Sequence, residues 1–263
     1  MKEMRFFYVP DAAYQTELPK DEAMHALRVL RLRSGDEIYL IDGEGTFFRA
    51  EIIHEGGEEY GTKSKKSEKS LSLNEPMRGK RIFYNIKDTL PQQKDWHSSI
   101  HLAISPTKMS ERMEWLAEKA TELGFDELTF LDCRYSERRT LRLERIEKIV
   151  ISAMKQSRKP WKPRINSMVS FNDFVHNPIK GRKFIAHCYE EIDRKDFYTE
   201  LISQPPKSDE EVVIMIGPEG DFSMDEVKEA INQGFVSVTL GKSRLRTETA
   251  GLAAVMMAGL TLR

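Results

Sequence analysis

The residues best placed for chemistry lie in two glycine-bearing loops. The first, Gly217-Pro218-Glu219-Gly220-Asp221-Phe222, follows the apolar run "VVIMI" at 212 to 216. It lacks the lysine and hydroxyl of a G-x-x-x-x-G-K-[ST] phosphate loop, and it is not G-x-G-x-x-G. Two carboxylates at a strand end repel phosphate, whereas the glycines let a ligand approach the backbone. The loop therefore suits a neutral or cationic ligand with hydroxyls or amines, such as a ribose, an adenine edge or a sulfonium. A tight turn whose Glu219 merely caps the next helix is the structural alternative. The second loop, in "LGKSRLRTETAGLAA" at 240 to 254, carries Arg244 and Arg246. It enters a helix with Thr247 as its N-cap candidate and Glu248 in the first turn, where the helix dipole favours a carboxylate.

The elements that position these loops follow from periodicity. From about residue 98, apolar runs alternate with helical spacing. "SIHLAIS" (99 to 105) leads to a helix in which Met113, Leu116, Ala117, Ala120 and Leu123 share a face and Gly124 is the stop. There follow "ELTFLD" (127 to 132), a helix over 142 to 157, "KFIAHC" (183 to 188), a helix over 193 to 203, "VVIMIG" (212 to 217), a helix over 224 to 233, "FVSVTL" (235 to 240) and a last helix from about 248. Ser223 and Glu226 form the S-x-x-E capping box of the helix over 224 to 233. Such alternation predicts an α/β fold, a mostly parallel sheet covered on both faces, with ligands bound at the carboxyl ends of the strands. The chain before it reads differently: strands at 4 to 9, 36 to 42 and 46 to 53 and a helical stretch at 21 to 32 predict a small β-barrel. The polar segment 55 to 80 reads as a mobile loop or linker edge with a strand around 69 to 73. Residues 81 to 97 take no assignment.

The net charge of −1 over 263 residues conceals local fields. Between Arg134 and Arg164 stand eleven bases, Arg138, Arg139 and Lys159 among them, against Glu137, Glu144 and Glu147. Arg28, Arg31 and Arg33 form a second cluster. Local density of this kind neutralises phosphates, and a solvated helix face is the plainer reading of either cluster. Cys133 and Cys188 make no spaced ligand set, so no metal is expected and a reducing compartment fits. The longest apolar stretch, 252 to 262, is well short of the roughly 20 residues of a spanning helix, so a cytoplasmic protein without a membrane partner is expected.

In order along the chain, "SPTKMSERMEWLAEKATELG", "SERR", "AMKQS", "IGPEGDFS" and "LGKSRLRTETA", preceded by "HALRVLRLRSGDEIYLIDGEG", resemble the RsmE family of SPOUT-class methyltransferases. The resemblance implies a PUA-like RNA-binding β-barrel over residues 1–75 and a trefoil-knotted methyltransferase domain over 76–263. It implies a cytoplasmic homodimer that uses S-adenosylmethionine to methylate N3 of one uridine, U1498 in the usual numbering, of 16S rRNA in the small ribosomal subunit. Carried onto this chain, the cofactor-binding positions are His187, Gly217, Pro218, Glu219, Gly220, Leu240, Gly241, Ser243, Leu245, Arg246 and Glu248. The catalytic candidates are Arg246 and Arg138, which would stabilise charge developing on a uracil carbonyl. RNA phosphates fall to Arg28, Arg31, Arg33, Arg139 and Lys159. The chain departs from the family's pattern at Ser243-Arg244 and at Arg158-Lys159, where the basic group is displaced by one position or exchanged. A non-catalytic ribosome-assembly factor on the same fold is the alternative. A nicotinamide oxidoreductase is disfavoured because "AISPTKMSERM", after the first strand of the sheet, has no glycine.

Overall fold

Alternating apolar residues build the first of two units. The computed structural model describes residues 4–54, 81–208 and 210–263. The chain divides into Met1–Gln92 and Gln93–Arg263. Strands β1 (Phe6–Tyr8), β2 (Glu37–Ile41), β3 (Thr46–His54) and β4 (Ile82–Pro91) form a sheet in that order, parallel between β1 and β2 and antiparallel elsewhere. Helix α1 (Lys20–Met24) continues as a π-helical turn, His25–Val29. Phe7, Ala26, Ile38, Leu40, Ala50, Ile52 and Ile82 are fully buried in the unit's core.

Strand β4 accounts for much of the unassigned segment and moves the boundary from residue 75 to 92. Its partner register with β3 runs from His54↔Ile82 to Thr46↔Pro91. The other edge of β4 is also occupied, since Tyr84 N–H donates to the Thr16 carbonyl and Leu18 N–H to that of Ile82, both at 2.8 Å. A few residues on, Trp96 is buried in the core of the second unit and donates from Nε1 to Asp126 at 2.8 Å. Ile82, Tyr84 and Ile86 alternate with the exposed Asn85 and Lys87, but Phe83 and Asp88 break the period-two pattern, and Thr89, Leu90 and Pro91 are all exposed. The linker and strand expected within 55 to 80 lie outside the described residues.

The second unit is the predicted layered sheet. It contains β5 (Ser99–Ile104), α2 (Ser110–Leu123), β6 (Glu127–Asp132), α3 (Leu143–Ser157), β7 (Arg164–Ile165), β8 (Val169–Ser170), α4 (Phe171–His176), β9 (Gly181–Ala186), β10 (Lys195–Asp196), α5 (Phe197–Ser203), β11 (Glu211–Ile216), α6 (Met224–Asn232), β12 (Val236–Thr239) and α7 (Thr247–Thr261). The order is β10-β12-β9-β11-β5-β6-β7, with β8 beside β6, and every pairing is parallel. Period-two alternation sends Ile100, Leu102, Ile104, Val212 and Ile214 into one core with α2, α3, α5 and α7. Ala103, Val213, Met215 and Ile185 enter the other, with α4 and α6.

Several boundaries differ from the sequence reading. Strand β9 ends at Ala186, leaving His187 and Cys188 in the loop, and α5 starts at Phe197 behind an Asp196 cap that accepts from Thr199 N–H. Thr247 is not the N-cap of α7. Arg246 holds that place, and the Thr247 hydroxyl donates instead to the Gly217 carbonyl at 3.2 Å. The capping box of α6 forms as expected.

Gly251 shows why α7 tolerates a mid-helix glycine, which costs about 1 kcal/mol against alanine. A Cβ there would stand 2.9 Å from Ile104 Cδ1, 3.3 Å from Leu116 Cδ1 and 3.4 Å from Leu102 Cδ2. We predict that Gly251→Val lowers unfolding stability in urea by about 1–3 kcal/mol through overpacking. Unchanged or increased stability would mean that this helix does not press on β5 and α2.

Candidate functional site

Because β9 lies between β12 and β11, the carboxyl ends of three parallel neighbours open on one edge of the sheet. The two glycine loops, consecutive in sequence, are thus separated by the loop after β9. All three line a cavity of about 1130 Å³. Of the residues expected to bind a cofactor, His187, Gly217, Pro218, Glu219, Gly220, Leu240, Gly241, Ser243, Leu245 and Arg246 line it. Glu248 does not, being 7% exposed and buried in the first turn of α7. Gly241 has φ 128° and open space where a Cβ would project, so the turn exposes bare backbone.

The loops are pinned to one another through backbone groups. Glu219 Oε1 accepts the Lys108 N–H at 3.0 Å, and Arg138 donates to the carbonyl of the same residue from Nε at 3.0 Å and Nη2 at 2.6 Å. Glu219 therefore neither caps α6 nor stands free, and Arg138, a catalytic candidate in the sequence, braces the loop after β5 without being a lining residue. Asp221 occupies left-handed backbone at φ 66°, accepting the Cys188 N–H and its own neighbour's Phe222 N–H at 2.8 Å each. The second catalytic candidate, Arg246, is exposed on the wall.

His187 is 5% exposed and fixed in one tautomer. Its Nδ1 accepts from Tyr189 N–H at 3.2 Å, so the neutral ring carries its proton on Nε2, which donates to Ser237 Oγ at 2.6 Å. Burial pushes its pKa down, with Arg194 adding to the shift and Asp221 opposing it. Burial likewise raises the Cys188 thiol, beside Asp221. With both ring nitrogens engaged, buried His187 has no free lone pair to act as a general base, and the raised Cys188 pKa argues against a reactive thiolate.

Sequence reasoning passed over Arg112, Arg194 and Asp196, which also line the cavity. Arg112 sits at the start of α2 with Nη1 3.4 Å from Glu248, so the buried carboxylate acts at one remove from the wall. Arg194 donates to the His187 carbonyl at 2.8 Å. Arg194 and Asp196 fall in the stretch expected as a helix over 193 to 203, whereas Arg194 lies in the connection after β9 and Asp196 in β10. For Arg112 there was no signal, since it arrives by helix packing. With Lys242, Arg244, Glu190 and Glu219, these residues give the wall charges of both signs.

The expected RNA contacts occupy different settings. Arg28, Arg31, Arg33 and Arg139 are exposed, with Arg139 paired to Asp132 at 2.9 Å. Lys159 is half-buried with Nζ 5.7 Å from the centre of the Trp96 ring, and burial lowers its pKa, so it is engaged in packing. At the amino ends of the strands, His101, Glu127 and Glu211 bring metal-ligand types within 4.8 Å of one another. Glu211 addresses Nδ1 at 3.5 Å, Glu127 addresses Nε2 at 3.9 Å, and Thr129 takes Nε2 at 2.8 Å. The carboxylates face opposite ring nitrogens and do not converge on one ion.

Comparison with known proteins gives matches over nearly the whole chain. Residues 94–259 match the family model of an RNA methyltransferase domain, and residues 18–60 that of an RNA methyltransferase PUA domain. Ribosomal RNA small subunit methyltransferase E of Rickettsia conorii is 28% identical over 91% of this chain and 87% of its own. Among solved structures, a probable rRNA-methyltransferase from Porphyromonas gingivalis is 37% identical, with a TM-score of 0.80 over 98% of both chains. A ribosomal RNA small subunit methyltransferase E from Neisseria gonorrhoeae, bound to S-adenosyl methionine, is 27% identical, with a TM-score of 0.73 over 96% of this chain and 95% of that one.

The setting of His187 predicts a pH dependence. With its folded pKa below the ordinary imidazole value of about 6.5, the unfolded chain binds more protons in the window below that value. The contribution of His187 is complete above about pH 6.5 and is lost as pH falls toward the folded pKa. An NMR titration of the ring should give a midpoint below 6.5, and His187→Gln should flatten the fall in stability across that window. A midpoint at or above 6.5 contradicts the assignment.

Proposed function

Because the chain belongs to the RNA methyltransferase family, in the branch of ribosomal RNA small subunit methyltransferase E, we propose that it methylates N3 of U1498 in 16S rRNA with S-adenosylmethionine. The observation that carries this reading is the cavity at three adjacent strand ends, in a chain aligned over almost its full length with a cofactor-bound relative. The reading includes a trefoil-knotted chain path, a cytoplasmic setting and a homodimer.

The cavity fits the cofactor. Its backbone-exposing turns at Gly217 to Gly220 and Leu240 to Leu245 suit an adenosine, and its mixed charges suit a ligand that carries both a carboxylate and a cation. When bound, S-adenosylmethionine supplies an electrophilic methyl group on a positive sulfonium. Glu219 and Asp221 place negative charge on the wall, where a phosphate loop's lysine would repel that sulfonium. Uracil N3 is a weak nucleophile until it loses its proton, so a cation beside a carbonyl of the turned-out base favours the anion and the transition state. Arg246, exposed on the wall at the start of α7, is the residue we assign to this task. Arg138 acts through Lys108 and Glu219 as a positioning residue.

RNA is held by phosphate contacts outside the cavity, through Arg28, Arg31 and Arg33 on the first unit and Arg139 on the second. The dimer contact is assigned to α7, which is apolar around its circumference and leaves Met256 43% and Leu260 49% exposed. Among the described residues no helix is long and apolar enough to cross a membrane.

Labelled S-adenosylmethionine should transfer methyl to small ribosomal subunits that lack the modification, with N3-methyluridine identified by mass spectrometry. Cofactor and subunit binding without transfer to a verified substrate would refute the enzymatic reading, and loss of cofactor binding as well would favour the assembly factor. Arg246→Ala should lower kcat on the order of 100-fold at saturating cofactor, while Arg138→Ala should act mainly on cofactor KM. An unchanged kcat in Arg246→Ala removes that assignment. Leu260→Glu should shift the chain from dimer to monomer in light scattering, and a wild-type monomer would dismiss the α7 contact.

A further inference from the structure

Among the described residues, three that are not glycine hold positive φ: Arg31 at 52°, Arg158 at 56° and Asp221 at 66°. Left-handed backbone crowds a Cβ, and glycine or asparagine normally takes it. Asp221 explains itself, because its short carboxylate bonds to the neighbouring Phe222 N–H and across to Cys188. An arginine side chain has no acceptor with which to do the same.

Both arginines close helices. Arg158 ends α3 in a Schellman arrangement: its own N–H reaches the Lys155 carbonyl at 3.4 Å, and the Lys159 N–H reaches that of Met154 at 3.0 Å. Arg31 stands one residue beyond the cap of the π-helical turn, and the Leu32 N–H reaches back across it to the Ala26 carbonyl at 3.0 Å. Glycine is the usual occupant of such a place. Both arginines are exposed, and each lies in one of the two basic clusters, one on each unit. Attraction between a cation and the helix dipole is the competing account of a basic residue at a helix end.

We propose that Arg31 and Arg158 are RNA-phosphate contacts, and that left-handed backbone is kept at these two helix ends because it places an exposed arginine in each basic cluster. Strained positions of this kind gather at functional sites, and a guanidinium suits phosphate geometry. The inference rests on the RNA substrate proposed above and goes beyond it, since Arg158 had no assigned role and Arg31 had only its charge to recommend it.

The test compares wild type with Arg31→Gly and Arg158→Gly on unmodified small ribosomal subunits, by filter binding over a series of KCl concentrations, with thermal melts alongside. Each glycine variant should melt at or above the wild-type midpoint and bind roughly three- to tenfold more weakly. The slope of log affinity against log salt should become shallower by about one for each arginine removed. Arg31→Asn and Arg158→Asn, which also tolerate this backbone, should lose the same slope, while the lysine variants keep most of it. Unchanged affinity and slope in the glycine and asparagine variants overturn the proposal, and a lower midpoint with unchanged affinity assigns the arginines to the helix dipole. Wild type that fails to bind subunits at all overturns the RNA reading itself, a result distinguishable from variants that bind as tightly as wild type.

Discussion

Parallel pairing is the constraint on which the second unit depends. Strands running in one direction cannot be joined by tight hairpins, so each return crosses a face of the sheet, usually as a helix. This covers both faces, with α2, α3, α5 and α7 on one and α4 and α6 on the other. It also gathers every carboxyl-terminal loop at one edge. The order β12-β9-β11 then turns three loops distant in sequence into the walls of a single cavity.

A cavity made of loops must be held in shape, and here polar side chains in and behind the wall do so by satisfying backbone groups. Glu219 and Arg138 grip the two ends of one residue, Lys108, while Asp221 holds the Cys188 N–H and Thr247 reaches the Gly217 carbonyl. Each bond crosses from one strand end to another, so no wall moves without unpairing a donor or acceptor in the next. His187 belongs to the same scaffold: a neutral ring bonded through both nitrogens fixes the loop after β9. Arg246, the residue proposed for catalysis, is exposed on the wall.

The two units treat charge differently from their neutral total. Arginines cluster on exposed turns, and at two helix ends they occupy backbone that sterics would give to glycine. The wall of the cavity mixes both signs, which separates a site for a small zwitterion from surfaces for a polyanion. Apolar exposure on α7, at Met256 and Leu260, is a third kind of surface, and it is the one to which the proposed dimer contact is assigned.

The sequence by itself determined the layered α/β class, the strands read over 99 to 105, 127 to 132 and 212 to 217, the capping box at Ser223 and the two glycine loops. These are local properties: period-two and 3.6-residue patterns, cap chemistry and turn residues act over a few positions. Spaced motifs also identified the family, because several in register are far more specific than any one. Tertiary structure alone decided that β9 separates the two loops, that β4 belongs to the first unit, that Arg112 reaches the wall and that Glu248 stands behind it. It also decided that Glu219 and Arg138 grip a backbone and that Lys159 lies against Trp96. The physical reason is the same throughout: strand order and the partner of a polar side chain depend on contacts between residues far apart in the chain, about which no local pattern carries information.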